Sequence, residues 1–231
     1  MSADIATNLA AVRRRIADAA HRAGRDPDEV TLVAVSKTVD EARIRAAYAA
    51  GQHHFGENRV QEAEDKIATL SNLAEAHWHL VGHLQTNKVR VALRMFEVIQ
   101  SVDSLHLAQA ISRQATAQGR VVPVLLEVNV AGEATKFGFR GTDLPGAAAE
   151  IVALPNIAVK GLMTVAPLVS DPKQVRPVFR ALRMMRDTLR RTVPQSNWPH
   201  LSMGMTDDFE VAVEEGATIV RIGRAIFGAR A

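Results

Sequence analysis

Leu32–Val35 read as a strand buried on both faces, and Lys37 follows two residues later in the run TLVAVSK at 31–37. An amine held at the end of such a strand is partly desolvated. That favours its neutral form, and a neutral amine can form a Schiff base with an aldehyde. A single lysine so placed can also simply lead its charge out to water along its own stem. Two further strand ends weigh on the matter. HLSMGM at 200–205 puts Ser202 and Gly204 after one strand, and TIVRIGRAIFG at 218–228 puts Gly223 and Arg224 after the next. Gly223 opens a short helix. The N–H groups of Gly223 and Arg224, with the Ser202 hydroxyl and the Arg224 charge, would suit a phosphate. Arg221 shares a strand face with Gly223 by alternation. A guanidinium there cannot give up its proton and offers only hydrogen-bond donors.

Strand ends converge only if the strands share one sheet. Short, apolar, β-branched runs alternate with helical patterns along the chain, eight times over. The expected fold is α/β, a single TIM (β/α)8 barrel with an extra N-terminal helix, spanning 1–231 as one domain. In that fold the loops after strands seven and eight form a phosphate cradle at the mouth where Lys37 also sits. An open doubly wound sheet is the alternative. Against it stand the count of eight and the lack of GxGxxG after the first strand. The extra helix carries Ile5, Leu9, Val12, Ile16 and Ala20 at helical spacing, with Ser2 as a candidate N-cap. Thr86 is expected to cap the third repeat's helix and Asp207-Asp208 to begin the seventh's. A Schiff-base lysine and a phosphate cradle in one barrel point to pyridoxal 5′-phosphate (PLP). A PLP-free aldolase acting on a sugar phosphate is the rival.

Composition narrows the function classes. The 231 residues are 47% hydrophobic and 23% charged, enough to bury a full core. Cysteine is absent, which removes disulfides, thiolate metal sites and cysteine nucleophiles. The net charge of +3 comes from 28 basic against 25 acidic residues, and the arginine clusters at 13–15 and 190–191 fall in helical patterns among acids. We expect solvated helix faces there, and no nucleic-acid binding. No membrane span or leader pattern is present, so a cytoplasmic protein is expected.

Longer pieces carry a resemblance. AVSKT at 34–38, FGENRVQEAEDK at 55–66, WHLVGHLQTNK at 78–88, SVDS at 101–104, GLMTV at 161–165, LSMGMTDDFEVAVEEG at 201–216 and VRIGRAIFG at 220–228 resemble the YggS/PROSC-type pyridoxal phosphate homeostasis family. Its barrel is like the N-terminal domain of alanine racemase. The resemblance implies that Lys37 carries PLP as a Schiff base, that Asn58 lies beside the ring and that Met163 lines the pocket. It also implies that Ser202, Gly223 and residue 224 hold the phosphate while Arg221 faces the ring nitrogen; Gly204, from the strand-end reading, joins them as a cofactor-binding candidate. The family usually has Thr or Ser at 224, where this chain has Arg, leaving the backbone N–H and a charge in place of a hydroxyl. A racemase of this type needs a second proton-transfer tyrosine from a further domain. The only tyrosine here is Tyr48, in a helix pattern, and the chain stops after the eighth unit. The resemblance therefore implies a PLP carrier with no catalytic residues, handing cofactor to PLP-dependent apoenzymes. A monomer is expected. The alternative is a racemase-like PLP enzyme acting on small amino acids.

Other chemistry-bearing residues carry less. His77 and His79 share a strand face with His83 nearby, but no carboxylate is expected in register, so no metal is assigned. His53 and His54 face opposite ways on one strand. Lys136 reads as a solvated loop lysine.

Overall fold

The computed structural model describes residues 4–133 and 135–228. Along the chain run α1 (Ile5–Arg22), β1 (Thr31–Val35), α2 (Glu41–Ala49), β2 (His54–Glu57), α3 (Val60–Thr69) and β3 (His77–Leu80). Then follow α4 (Val89–Met95), β4 (Val98–Val102), α5 (Leu105–Ala117), β5 (Val122–Glu127), α6 (Leu144–Val152) and β6 (Ile157–Met163). The last elements are α7 (Arg176–Thr192), β7 (His200–Ser202), α8 (Phe209–Glu214), β8 (Ile219–Ile222) and α9 (Arg224–Phe227). The eight strands are parallel, neighbour each other in sequence order and close into a barrel. Closure pairs Thr31 with Ile219 and Ala34 with Ile222. This is the TIM barrel expected from the alternation.

Two apolar regions hold it. The larger lies between barrel and helices and includes Trp198, Phe55, Phe96, Phe179 and Phe209, all fully buried. Burying each aromatic contributes roughly 2–3 kcal/mol against conformational entropy. The smaller lies within the barrel, where Val33, Leu125, Met163 and Ile219 form a separate cluster. The α1 helix buries Ile5, Leu9, Val12 and Ile16 against α2, α8 and α9. Two of the arginines in its 13–15 cluster are tied down. Arg13 donates to the carbonyls of Ala50 and Gly51 at the end of α2, and Arg15 forms a two-bond pair with Glu210 of α8. Arg190 likewise donates to the carbonyls of Asn197 and Trp198.

Several local expectations need correction. The α1 helix is capped by Asp4, whose carboxylate accepts from Thr7 N–H, while Ser2 lies outside the described residues. Thr86 begins a 3₁₀ turn at Thr86–Lys88, so α4 starts at Val89 without a side-chain cap. Asp208 stands at the start of α8 but accepts from Met205 N–H, upstream of the helix. The seventh strand ends at Ser202 because Gly204 turns the chain with φ +94°. A Cβ at Gly204 would come within 2.6 Å of Ala212 Cβ, so only glycine fits that turn without displacing α8. The histidines do meet carboxylates: His77 pairs with Glu97 and His83 with Asp103. No group of three or more possible metal ligands occurs among the described residues. Lys136 pairs with Glu133 across its own loop. No helix among the described residues is long and apolar enough to cross a membrane.

Candidate cofactor site

Lys37 stands two residues beyond β1 at the C-terminal mouth of the barrel, half-buried. Both peptide groups beside it are held. The Ser36 carbonyl accepts from Lys66 Nζ at 2.8 Å, and Thr38 N–H donates to Glu62 Oε1. Thr38 has φ +61°, a conformation β-branched residues avoid, so this turn persists only because its surroundings impose it. Those surroundings form one network between β2 and α3. Glu57 Oε1 accepts from Lys66 Nζ at 2.8 Å and from the Ser36 hydroxyl at 2.7 Å. Lys66 also pairs with Glu62, one helical turn away. Glu57 is fully buried, its Oε2 lacks a partner among the described residues, and burial pushes its carboxyl up despite Lys66. The next residue, Asn58, is half-buried and touches the loop after β3. A Cβ at Gly82 would fall 2.3 Å from the Asn58 carbonyl oxygen, so the two loops approach as closely as backbone can.

Across the β1–β8 seam, Gly223 begins α9. A Cβ there would sit 3.0 Å from the Val35 carbonyl, which puts this turn directly beside the segment carrying Lys37. The hydroxyl at the start of α9 belongs to Thr206, half-buried, whose Oγ1 lies 3.4 Å from Ala225 N. Arg224 does not turn inward in this structure. It is exposed and donates to both carboxylate oxygens of Asp207 at 2.5 Å.

Ser202 is the last residue of β7. It is fully buried inside the barrel, where its hydroxyl donates to Gln100 Oε1 at 2.6 Å and accepts from Arg221 Nη1 at 2.6 Å. Arg221 is also buried, and its Nη2 donates to the Thr164 carbonyl at 2.8 Å. Burial pushes its pKa down to about 10, against the pull of Glu127 and Asp208, so it remains a cation at neutral pH. Gln100 Nε2 lies 3.0 Å from His79 Nδ1, and His79 Nε2 lies 3.1 Å from His54 Nδ1. Burial pushes His79 down to about 3, with His54, His77 and His200 adding repulsion. Met163, fully buried at the end of β6, supplies part of the apolar floor with Val33 and Leu125. Glu127 ends β5 on the same rim. Burial and the nearby Asp103 carboxylate raise its pKa to about 7, with Arg221 opposing.

Lys37, Asn58, Gly204, Gly223 and Arg224 thus gather at the mouth, with Met163, Ser202 and Arg221 below it. The strand-end reading passes over Glu57, Glu62, Lys66, Gln100, His79, Glu127 and Thr206. A polar residue inside an apolar strand, as in VIQSV, was the available signal for Gln100, because buried polar groups require partners.

The arrangement has known counterparts. The model of the family described as alanine racemase, N-terminal domain, matches residues 7–231. The chain belongs to this family. Among its members, it is 46% identical over 222 residues to the pyridoxal phosphate homeostasis protein of Aquifex aeolicus, covering 96% of each chain. It is 40% identical to PipY of Synechococcus elongatus, a structure solved with PLP bound, with a TM-score of 0.86 over 97% of this chain and 100% of that one. The alanine racemase of Clostridium difficile 630 shares the fold, with 15% identity and a TM-score of 0.74 over 98% of this chain and 57% of that one. The family resemblance carried by the sequence motifs is thereby established.

Proposed function

We propose that this protein binds PLP at the barrel mouth and serves PLP homeostasis as a carrier. One observation carries the reading: an amine, an anion cradle and a buried guanidinium meet at the β1–β8 seam. PLP bears its aldehyde and its phosphomethyl group on neighbouring ring carbons, with the ring nitrogen on the far side. Lys37 and the Gly223 turn lie side by side, and Arg221 lies beneath them. The residues therefore fit the group, and PLP as the ligand is supported by the PipY structure solved with PLP bound.

When bound, PLP supplies an aldehyde that captures amines and a ring that accepts electron density. The Lys66–Glu57–Glu62 network fixes the backbone on both sides of Lys37 and so aims its amine. The N–H groups at Gly223 and Arg224 with the Thr206 hydroxyl offer donors to a phosphate. Arg221 presents donors from below and keeps a facing nitrogen from being protonated. Asn58 and Met163 bound the ring space. Tyr48 lies far from this chemistry. Its hydroxyl accepts from Glu75 N–H and its ring meets His53, just before β2 and thus at the opposite end of the barrel. We therefore read a holder of cofactor rather than a racemase, acting in the cytoplasm as a single-domain monomer that gives PLP to apoenzymes.

The test is direct. Purified protein with PLP should absorb in the visible, and borohydride reduction should fix one pyridoxyl group, mapped to Lys37. A protein that gains no such band, or is labelled elsewhere, defeats the reading. One observation favours a second, racemase-like reading. Glu127, titrating near neutrality at the mouth, is a group able to move a proton there. Exchange of amino-acid α-hydrogens into deuterated water, faster than with free PLP and abolished by Glu127→Gln, would establish it.

A further inference from the structure

A TIM barrel interior normally packs with Val, Ile and Leu. Here four buried polar side chains from β3, β4, β7 and β8 cross it: His79, Gln100, Ser202 and Arg221. Each would be costly without a partner, and together they form one chain with His54 of β2 at its outer end.

The chain has a single permitted direction. Arg221 can only donate, so Ser202 Oγ must accept from it. The serine proton then goes to Gln100 Oε1. That orients the Gln100 amide, which turns its N–H toward His79 Nδ1. His79 must accept there, so its proton sits on Nε2 and points at His54 Nδ1. Turning any one of these groups around sets two donors or two acceptors face to face. The permanent charge at Arg221 therefore fixes a histidine tautomer three side chains away.

The same logic runs the other way. If Gln100 offered no acceptor, the Ser202 hydroxyl could turn its proton toward Arg221 and push the guanidinium off its line. We propose that Gln100 and His79 are positioning residues that hold Ser202 as an acceptor and thereby aim Arg221 at the ring nitrogen of bound PLP. This rests on the PLP reading above.

Two measurements test it. In the apo protein, histidine side-chain ¹⁵N shifts should show His79 neutral with its proton on Nε2. Gln100→Glu, whose two oxygens both accept, should move that proton to Nδ1. The second measurement compares PLP with its deaza analogue, in which carbon replaces the ring nitrogen. Gln100→Leu should weaken PLP by about fivefold and the deaza analogue little, since one aimed hydrogen bond is lost. Ser202→Ala, a smaller change in volume, should show the same selective loss, and Gln100→Glu should keep most of the preference for PLP. A wild-type His79 proton on Nδ1 overturns the proposal. So does equal weakening of both ligands by Gln100→Leu and Ser202→Ala in folded protein, which would make the chain mere packing. If wild-type protein binds no PLP, the carrier reading fails and the aim assigned to Arg221 fails with it, whereas the tautomer measurement still decides the direction of the chain.

Discussion

Two hydroxyls and one guanidinium near α9 have different chemistry available to them. Thr206 stands at the start of that helix, while the proton of Ser202 is committed to Gln100. Thr206→Val should therefore weaken PLP by about fivefold and leave pyridoxal, which lacks the phosphate, nearly unchanged, as paired dissociation constants would show. Arg224 is bound to Asp207 in an exposed pair whose worth is about 0–1 kcal/mol. Arg224→Thr should shift stability by under about 0.5 kcal/mol and PLP affinity by less than about twofold. A large, salt-sensitive loss of PLP alone would show that the side chain swings to the phosphate. At this scale the sequence was informative where chemistry is unusual: a lysine closing an apolar strand, and an arginine inside another. It did not single out Thr206, because the place of that hydroxyl beside α9 depends on where β7 ends and how Gly204 turns the chain. Nor could it show the partners of Gln100, which are brought to it by strands distant in sequence.

The α3 helix works as a brace for the turn that carries Lys37. Its Lys66 pairs with Glu57, a fully buried carboxyl group. Lys66→Met should cost about 3–5 kcal/mol in urea unfolding, because it strands a buried acid. Adding Glu57→Gln should recover much of that loss, since the stranded charge is then gone. The double variant should still label more slowly at Lys37, for the Ser36 carbonyl has lost its donor. A single variant as stable as wild type would mean that Glu57 takes up a proton at no cost. The elements themselves were legible from the β–α alternation, since each strand buried on both faces leaves an apolar run and each helix a periodic one. Their ends were less so. Capping depends on which carboxylate reaches which N–H, as Asp4 and Asp208 illustrate.

At the scale of the whole molecule, two of the buried titrations, those of His79 and Glu127, bear on stability with opposite sign. His79 is neutral when folded, with a pKa of about 3 against 6.5 when free. The unfolded chain binds the extra proton between those values, so stability falls as pH drops from 6.5 toward 3, by up to about 1.4 kcal/mol per pH unit. Glu127 rises from 4.5 to about 7. The folded state then binds the extra proton, and stability falls as pH rises through 4.5 to 7. Glu127→Gln should accordingly stabilise the fold by roughly 3 kcal/mol at pH 8, read as a higher melting temperature, and leave stability unchanged near pH 4. A gain of equal size at both values would assign the effect to packing. Closure of the barrel has a temporal side as well. The first strand finds its second neighbour in Ile219–Ile222, and α1 packs chiefly against α8 and α9, with α2 beside them. On a ribosome adding about 5–20 residues per second, Leu9, Val12 and Ile16 wait roughly 10–45 s for α8 and α9 to emerge. During synthesis α1 therefore waits longest, among the described helices, for the partners that cover it, and a nascent-chain chaperone would find its greasy stripe exposed throughout that time.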